Sequence, residues 1–161
     1  MDPQNPNSPL TPRLEHIFDI RINFKDRWNW GPIHPGGPTH GYTSVGTGVI
    51  EGPRLRGRVV EQSGADWPVV RSDGVVELNA HYMLESHDGA KIYIRNQGYV
   101  HAPRPAQDGQ PERSRYFRCT PYFRAPDGPY EWLNRTVVLG CGERHPNPAG
   151  DYSLFRYWAV Y

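Results

Sequence analysis

Residues 64–99, GADWPVVRSDGVVELNAHYMLESHDGAKIYIRNQGY, decide the fold. Val76, Leu78, Ala80, Tyr82 and Leu84 alternate with Glu77, Asn79, His81, Met83 and Glu85, the period of a strand with one buried face. His87-Asp88-Gly89 then predicts a three-residue turn with Gly89 left-handed, a conformation that glycine adopts without steric cost. Beyond the turn, Ile92 and Ile94 alternate with Lys91, Tyr93 and Arg95. A loop of that length sets Leu84 against Ile92 and Tyr82 against Ile94, so both apolar rows share one face; a two-residue turn would mix them. The opposite face then carries Glu77, Asn79, His81, Met83, Tyr93, Arg95 and Tyr99. Such a face is either a solvated sheet surface or the lining of a polar pocket.

The same alternation recurs on both sides of this hairpin. From Leu14 to Phe24, His16, Phe18, Ile20 and Ile22 face one way and Glu15, Ile17, Asp19 and Arg21 the other. Residues 25–40, KDRWNWGPIHPGGPTH, hold two Trp, three Pro and three Gly and are expected to form a long ordered loop. Further strands are expected near 42–50, 54–61, 75–86, 90–101, 114–124, 132–141 and 151–161, with a polar loop over 102–113. Seventeen Gly, seventeen Pro, ten Tyr and five Trp fit short strands and many turns, and no window sustains a helical period. The expectation is an all-β chain: a single antiparallel up-and-down β-barrel of about eight strands over residues 13–161, preceded by a Pro/Asn-rich segment 1–12 that is disordered or draped on the surface.

Composition narrows the partners. Eighteen basic residues balance seventeen acidic ones, and no basic run or arginine-rich arm occurs, so no nucleic-acid partner is expected. No apolar stretch is long enough to cross a bilayer, and MDPQNPNSPLTP lacks the apolar core of a signal peptide, so a cytoplasmic location without membrane contact is expected. Cys119 and Cys141 are expected to be free thiols in that setting. Gly46-Thr47-Gly48 precedes a strand instead of a crossover helix, so it is not a dinucleotide fingerprint. There is no nucleophile elbow, P-loop or paired-Cys motif, and His34 and His40 have no third ligand at a recognisable spacing. Neither a cofactor nor a metal is expected.

Several phrases extend across the chain: Gly64-Ala65-Asp66-Trp67, Arg71-Ser72-Asp73-Gly74, Asp88-Gly89-Ala90 with Ile92, Tyr116-Phe117-Arg118, and Tyr130-Glu131-Trp132-Leu133-Asn134-Arg135. Together they resemble the small family known as domain of unknown function three-two-three-seven, found in bacteria and fungi, from about Leu14 to the C-terminus. The resemblance implies a compact β-barrel and transfers no established reaction. This chain departs from the family pattern at His81, where arginine is common, and in the Trp-rich loop around Trp28 and Trp30. Those departures fit a specialised substrate in a secondary-metabolite pathway.

Candidate chemistry gathers at a few positions. Asp66 stands beside Trp67 in a loop before Pro68; desolvation would raise its pKa and make it a usable acid or base near neutrality. Equally, Asp66 would accept backbone N–H bonds in a turn while Trp67 plugs a barrel end. Arg71 and Asp73 are placed for an ion pair, with Asp73-Gly74 a turn. If the polar hairpin face lines a pocket, Asp66 or His81 would move a proton and Arg95 or Arg118 would stabilise developing negative charge. Trp67, Tyr93, Tyr116, Arg118, Trp132 and Asn134, with Trp28 and Trp30 above, would then contact substrate. The bland alternative for Trp132 is core packing, and for Asn134 an edge-capping bond. The expected function is a cofactor-free enzyme that isomerises, cyclises (pericyclic closure included) or eliminates on a small apolar or aromatic substrate. The alternatives are a non-catalytic carrier of a similar ligand and a structural module with a sealed core. A homo-oligomer stays open.

Overall fold

The computed structural model describes residues 8, 10–102 and 115–161. Ten strand segments follow in chain order: β1 (Leu14–Trp30), β2 (Thr39–Glu51), β3 (Gly57–Val59), β4 (Ala65–Asp66), β5 (Val69–Val70), β6 (Val76–Ser86), β7 (Lys91–His101), β8 (Tyr116–Arg124), β9 (Val138–His145) and β10 (Tyr152–Val160). The helical content among the described residues is a 3-10 turn at Glu131–Arg135. β3, β4 and β5 in succession fill one position between β2 and β6, so the ten segments make eight positions around the sheet. β1 pairs with β10 on one side and β2 on the other, which closes the barrel. All neighbours are antiparallel and consecutive, the up-and-down order that the alternation predicts.

The β6–β7 hairpin has the register read from its loop length. Leu84 opposes Ile92, Tyr82 opposes Ile94, and Gly89 has φ 90°. The apolar rows of both strands face the lumen, and the polar row of Glu77, Asn79, His81, Met83, Tyr93, Arg95 and Tyr99 lies on the outer wall. The lumen is filled at one end. Ile17, Phe18, Ile20, Ile50, Leu84, Ile92, Ile94 and Tyr157 have no more than 1% of their surface exposed. Phe18 meets Phe123 edge-on at 6.1 Å and lies tilted against Tyr157 at 5.3 Å between ring centres. Each such side chain contributes about 1.5–3 kcal/mol by leaving water.

Three expectations are corrected. Residues 25–40 are not one long loop: β1 runs on to Trp30 and β2 starts at Thr39, so only 31–38 connect them. The reason is a row of cross-strand ring pairs, Trp28 stacked on Tyr42 at 4.7 Å and Trp30 on His40 at 5.8 Å, which holds the two strands together as a ribbon. The strand near 132–141 is instead the 3-10 turn followed by β9. Its Leu133 N–H donates to the Tyr130 carbonyl, and Arg135 pairs with Glu131 one turn back at 2.6 Å. The alternation of His16, Phe18, Ile20 and Ile22 is broken by a bulge between His16 and Phe18, so Ile17 and Phe18 are both buried. Residues 1–7, 9 and 103–114, which carry most of the N-terminal segment and the polar loop, lie outside the described residues.

Candidate functional site

The lumen is packed at one end because its inward rows there are Ile, Leu and Phe. At the other end several inward positions are small, Thr43, Ala80, Gly142 and Ser153, and a cavity of about 680 Å³ opens. Carbon makes up most of its wall, from Ile22, Phe24, Val45, Leu78, Phe117 and Phe155. A cavity of that size accommodates a small organic molecule.

Asp66 enters this wall from β4. Its backbone opposes Ala80 on β6 and Thr43 on β2, and directly opposed residues share a face, so the carboxyl points inward with both. The approach of β4 to β6 depends on Gly64, where a Cβ would stand 1.7 Å from the His81 carbonyl oxygen. Asp66 Oδ1 accepts the Asn79 backbone N–H at 2.9 Å. Burial raises its pKa from an ordinary 3.8 to about 6; the Asn79 and Trp67 N–H groups and the charge of Arg27 only partly oppose that rise. Asp66 is therefore a carboxylic acid that exchanges its proton near neutral pH.

Tyr82 and Asn96 also line the cavity. Burial holds the Tyr82 phenol above its usual pKa, so it stays a neutral hydroxyl. Asn96 is 3% exposed; its Nδ2 donates to Tyr157 Oη at 3.1 Å, and its Oδ1 has no partner among the described residues. At the rim, Arg27 and Arg144 both donate to Asp151 Oδ2, at 3.1 and 2.5 Å, and Arg115 and Arg118 stand nearby.

The structure does not gather the residues that the sequence proposed into one pocket. Ala65, not Asp66, opposes His81, so His81 faces away from Asp66 across the sheet. On the outer wall His81 Nδ1 lies 2.6 Å from Tyr93 Oη and Nε2 3.2 Å from Asn79 Oδ1, which also accepts from Arg95 Nε at 3.2 Å. Desolvation and the Arg95 charge hold the His81 pKa below its ordinary value. His81, Tyr93 and Arg95 are thus corrected to an outer-wall hydrogen-bond cluster. Trp67 is 49% exposed, edge-on to Tyr42 and Trp30, and with Trp28 these rings decorate the outer side of the β1–β2 ribbon. Tyr116 is exposed and stacks on His101. Trp132 and Asn134 sit on the 3-10 turn: Arg54 covers the Trp132 ring at 3.9 Å, and the Asn134 amide exchanges bonds with the Ala125 backbone, at 2.7 and 2.9 Å. Both follow the packing and capping alternatives. Arg118 reaches the rim, its Nη1 donating to the Phe117 carbonyl at 2.9 Å. Arg71 does pair with Asp73, at 2.7 Å. Cys119 faces inward and Cys141 outward on adjacent strands, and both thiols are free.

The pattern of the family described as Protein of unknown function (DUF3237) matches residues 12–160. The chain belongs to the DUF3237 family. An uncharacterised UPF0311 protein of Rhodopseudomonas palustris is 31% identical over 144 residues, 84% of this chain and 92% of that one. The crystal structure of a β-barrel-like protein from Acinetobacter baumannii superposes with a TM-score of 0.82 at 27% identity, covering 96% of this chain and 99% of its own. A Penicillium herquei protein named as a hydroalkoxylation enzyme is 20% identical over 152 residues, 94% of this chain and 86% of its length.

In this DUF3237 barrel the lumen residues that sequence reasoning missed include Arg27, Thr43, Asn96, Arg144 and Ser153. One of them left a signal. Asn96 continues the row of Ile92 and Ile94 at period two, and an amide on a buried row marks a polar point inside a core. Arg27 lies beyond register shifts at Ile22/Phe24 and Phe24/Arg27, so simple alternation from Ile22 does not reach it.

Proposed function

We propose that this protein is an acid–base enzyme that isomerises, cyclises or eliminates on a small apolar or aromatic metabolite held in the lumen, with Asp66 as its proton-transfer group. One observation carries the reading: a carboxyl with a pKa near 6 faces a largely apolar cavity of about 680 Å³. Such an acid delivers a proton where water is excluded and takes one back as carboxylate. The name of the P. herquei relative suggests one member of this reaction class, the addition of a hydroxyl across a carbon–carbon double bond. In that case Asp66 protonates one alkene carbon as the π bond breaks. The substrate oxygen bonds to the other carbon, and the Asp66 carboxylate recovers the proton of that oxygen. Atoms and charge balance, and the lumen's contribution is to fold the hydroxyl onto the alkene. In this reading Arg118, which borders the cavity, steadies negative charge that develops on an enolate-like substrate.

The test is a panel of hydroxy-alkenes, prenylated phenols and enones incubated with the protein in deuterium oxide. Deuterium should enter at carbon in the product, and Asp66→Asn should slow that incorporation about 10²–10⁴-fold. Tight binding throughout the panel with no incorporation would favour the carrier reading, which rests on the apolar wall alone.

A further inference from the structure

The charged groups around the lumen are sorted by depth, and proton transfer at Asp66 does not use that sorting. Among the described residues, four guanidiniums, those of Arg27, Arg115, Arg118 and Arg144, border the cavity, against two rim carboxylates, Glu143 and Asp151. Glu143 is turned to solvent, 71% exposed, with His145 Nε2 at 3.5 Å. Asp151 serves Arg27 and Arg144 through the same oxygen, so one negative charge faces two positive ones. The mouth is therefore cationic, while the wall beneath it is carbon. The charge of Arg27 is felt inside, since it pulls downward on the pKa of Asp66. A cationic rim over a low-dielectric cavity concentrates anions, and a guanidinium fork matches a planar oxyanion.

We propose that Arg27 and Arg144 hold the acidic group of an amphipathic organic anion: a ring-sized apolar body ending in a carboxylate, phenolate or enolate, which enters apolar end first. This rests on the lumen being the ligand site, and adds which ligands it selects and in which orientation. A neutral apolar compound gains nothing from the rim. An anion that entered head first would lose its hydration against Phe117 and Phe155 and approach the Asp66 carboxylate. With the acidic group at the rim, the apolar body lies beside Asp66, where a proton is available.

A matched pair of fluorescent probes tests this: 8-anilinonaphthalene-1-sulfonate and N-phenyl-1-naphthylamine, which share their rings and differ by the sulfonate. The wild-type protein should bind the sulfonate about tenfold more tightly than the neutral amine, a difference of about 1.4 kcal/mol. Arg27→Gln and Arg144→Gln should each remove most of that preference, as should high salt, while affinity for the neutral probe stays level and reports an intact fold. Arg58→Gln makes the same charge change at a site remote from the mouth, where Arg58 pairs with Glu85, and should change neither affinity. Ala80→Trp fills the lumen and should abolish binding of both probes. Equal affinities for the two probes, both lost in Ala80→Trp, would overturn the anion assignment and leave the lumen as the ligand site. Binding that survives Ala80→Trp, or no binding of either probe, would overturn the lumen reading and the anion assignment together.

Discussion

Replacing Asp66 by asparagine should stabilise this protein at pH 8 while removing its acid. The folded-state pKa of about 6 stands above the ordinary 3.8 that the unfolded chain would show. The native state therefore holds the proton more tightly, and between those two values the unfolded chain loses its proton first. The stabilisation is fully present below about pH 4 and is lost as pH rises through 6. Two units at 1.36 kcal/mol each make the loss about 3 kcal/mol. Asparagine is uncharged throughout and keeps an Oδ1 that can accept the Asn79 N–H. The variant should match the wild type near pH 4 and exceed it by up to about 3 kcal/mol at pH 8, or about 6–12 °C in Tm for a chain of this size. Urea unfolding at several pH values, followed by tryptophan fluorescence, measures this directly. A variant that is less stable than the wild type at pH 8, or whose difference does not change with pH, would refute the desolvation of Asp66.

Ala80→Trp should abolish ligand binding while costing no more than about 3 kcal/mol of stability, because the added ring enters empty space; calorimetric titration and a melting curve check both halves. His81→Phe should leave turnover within about twofold of the wild type, since His81 stands on the outer wall, and a loss of about a hundredfold would show that the lumen is not the whole site. Phe18→Ala should cost about 3–5 kcal/mol by opening a void against Phe123 and Tyr157 at the packed end, read from the urea midpoint.

The barrel was legible because its evidence is local. Alternation names the strands, the His87-Asp88-Gly89 turn fixes the register of β6 against β7, and short connections order the strands. The site was legible in part. Asp66 could be singled out as a loop acid beside an aromatic ring, but which way it faces is set by two non-local pairings, with Ala80 and with Thr43. Its neighbour Ala65 opposes His81, so the two proposed acid–base groups fall on opposite sides of one sheet. Nothing in the spacing of residues 64–81 fixes that relation, because the intervening β5 and the Arg71–Gly74 turn decide it. Trp28 and Trp30 misled for a related reason: rings that stack across a ribbon resemble, in sequence, rings that line a loop.

The central claim is that Asp66 is a lumen acid that titrates near neutrality, and carbon-13 NMR of its side-chain carboxyl tests it most directly. Assignment comes from the signal that disappears in Asp66→Asn. The account predicts an inflection near pH 6, well above the ordinary 3.8 of this carboxyl, and a resonance that shifts when a lumen ligand is added. An inflection near pH 4 that no ligand perturbs would contradict it.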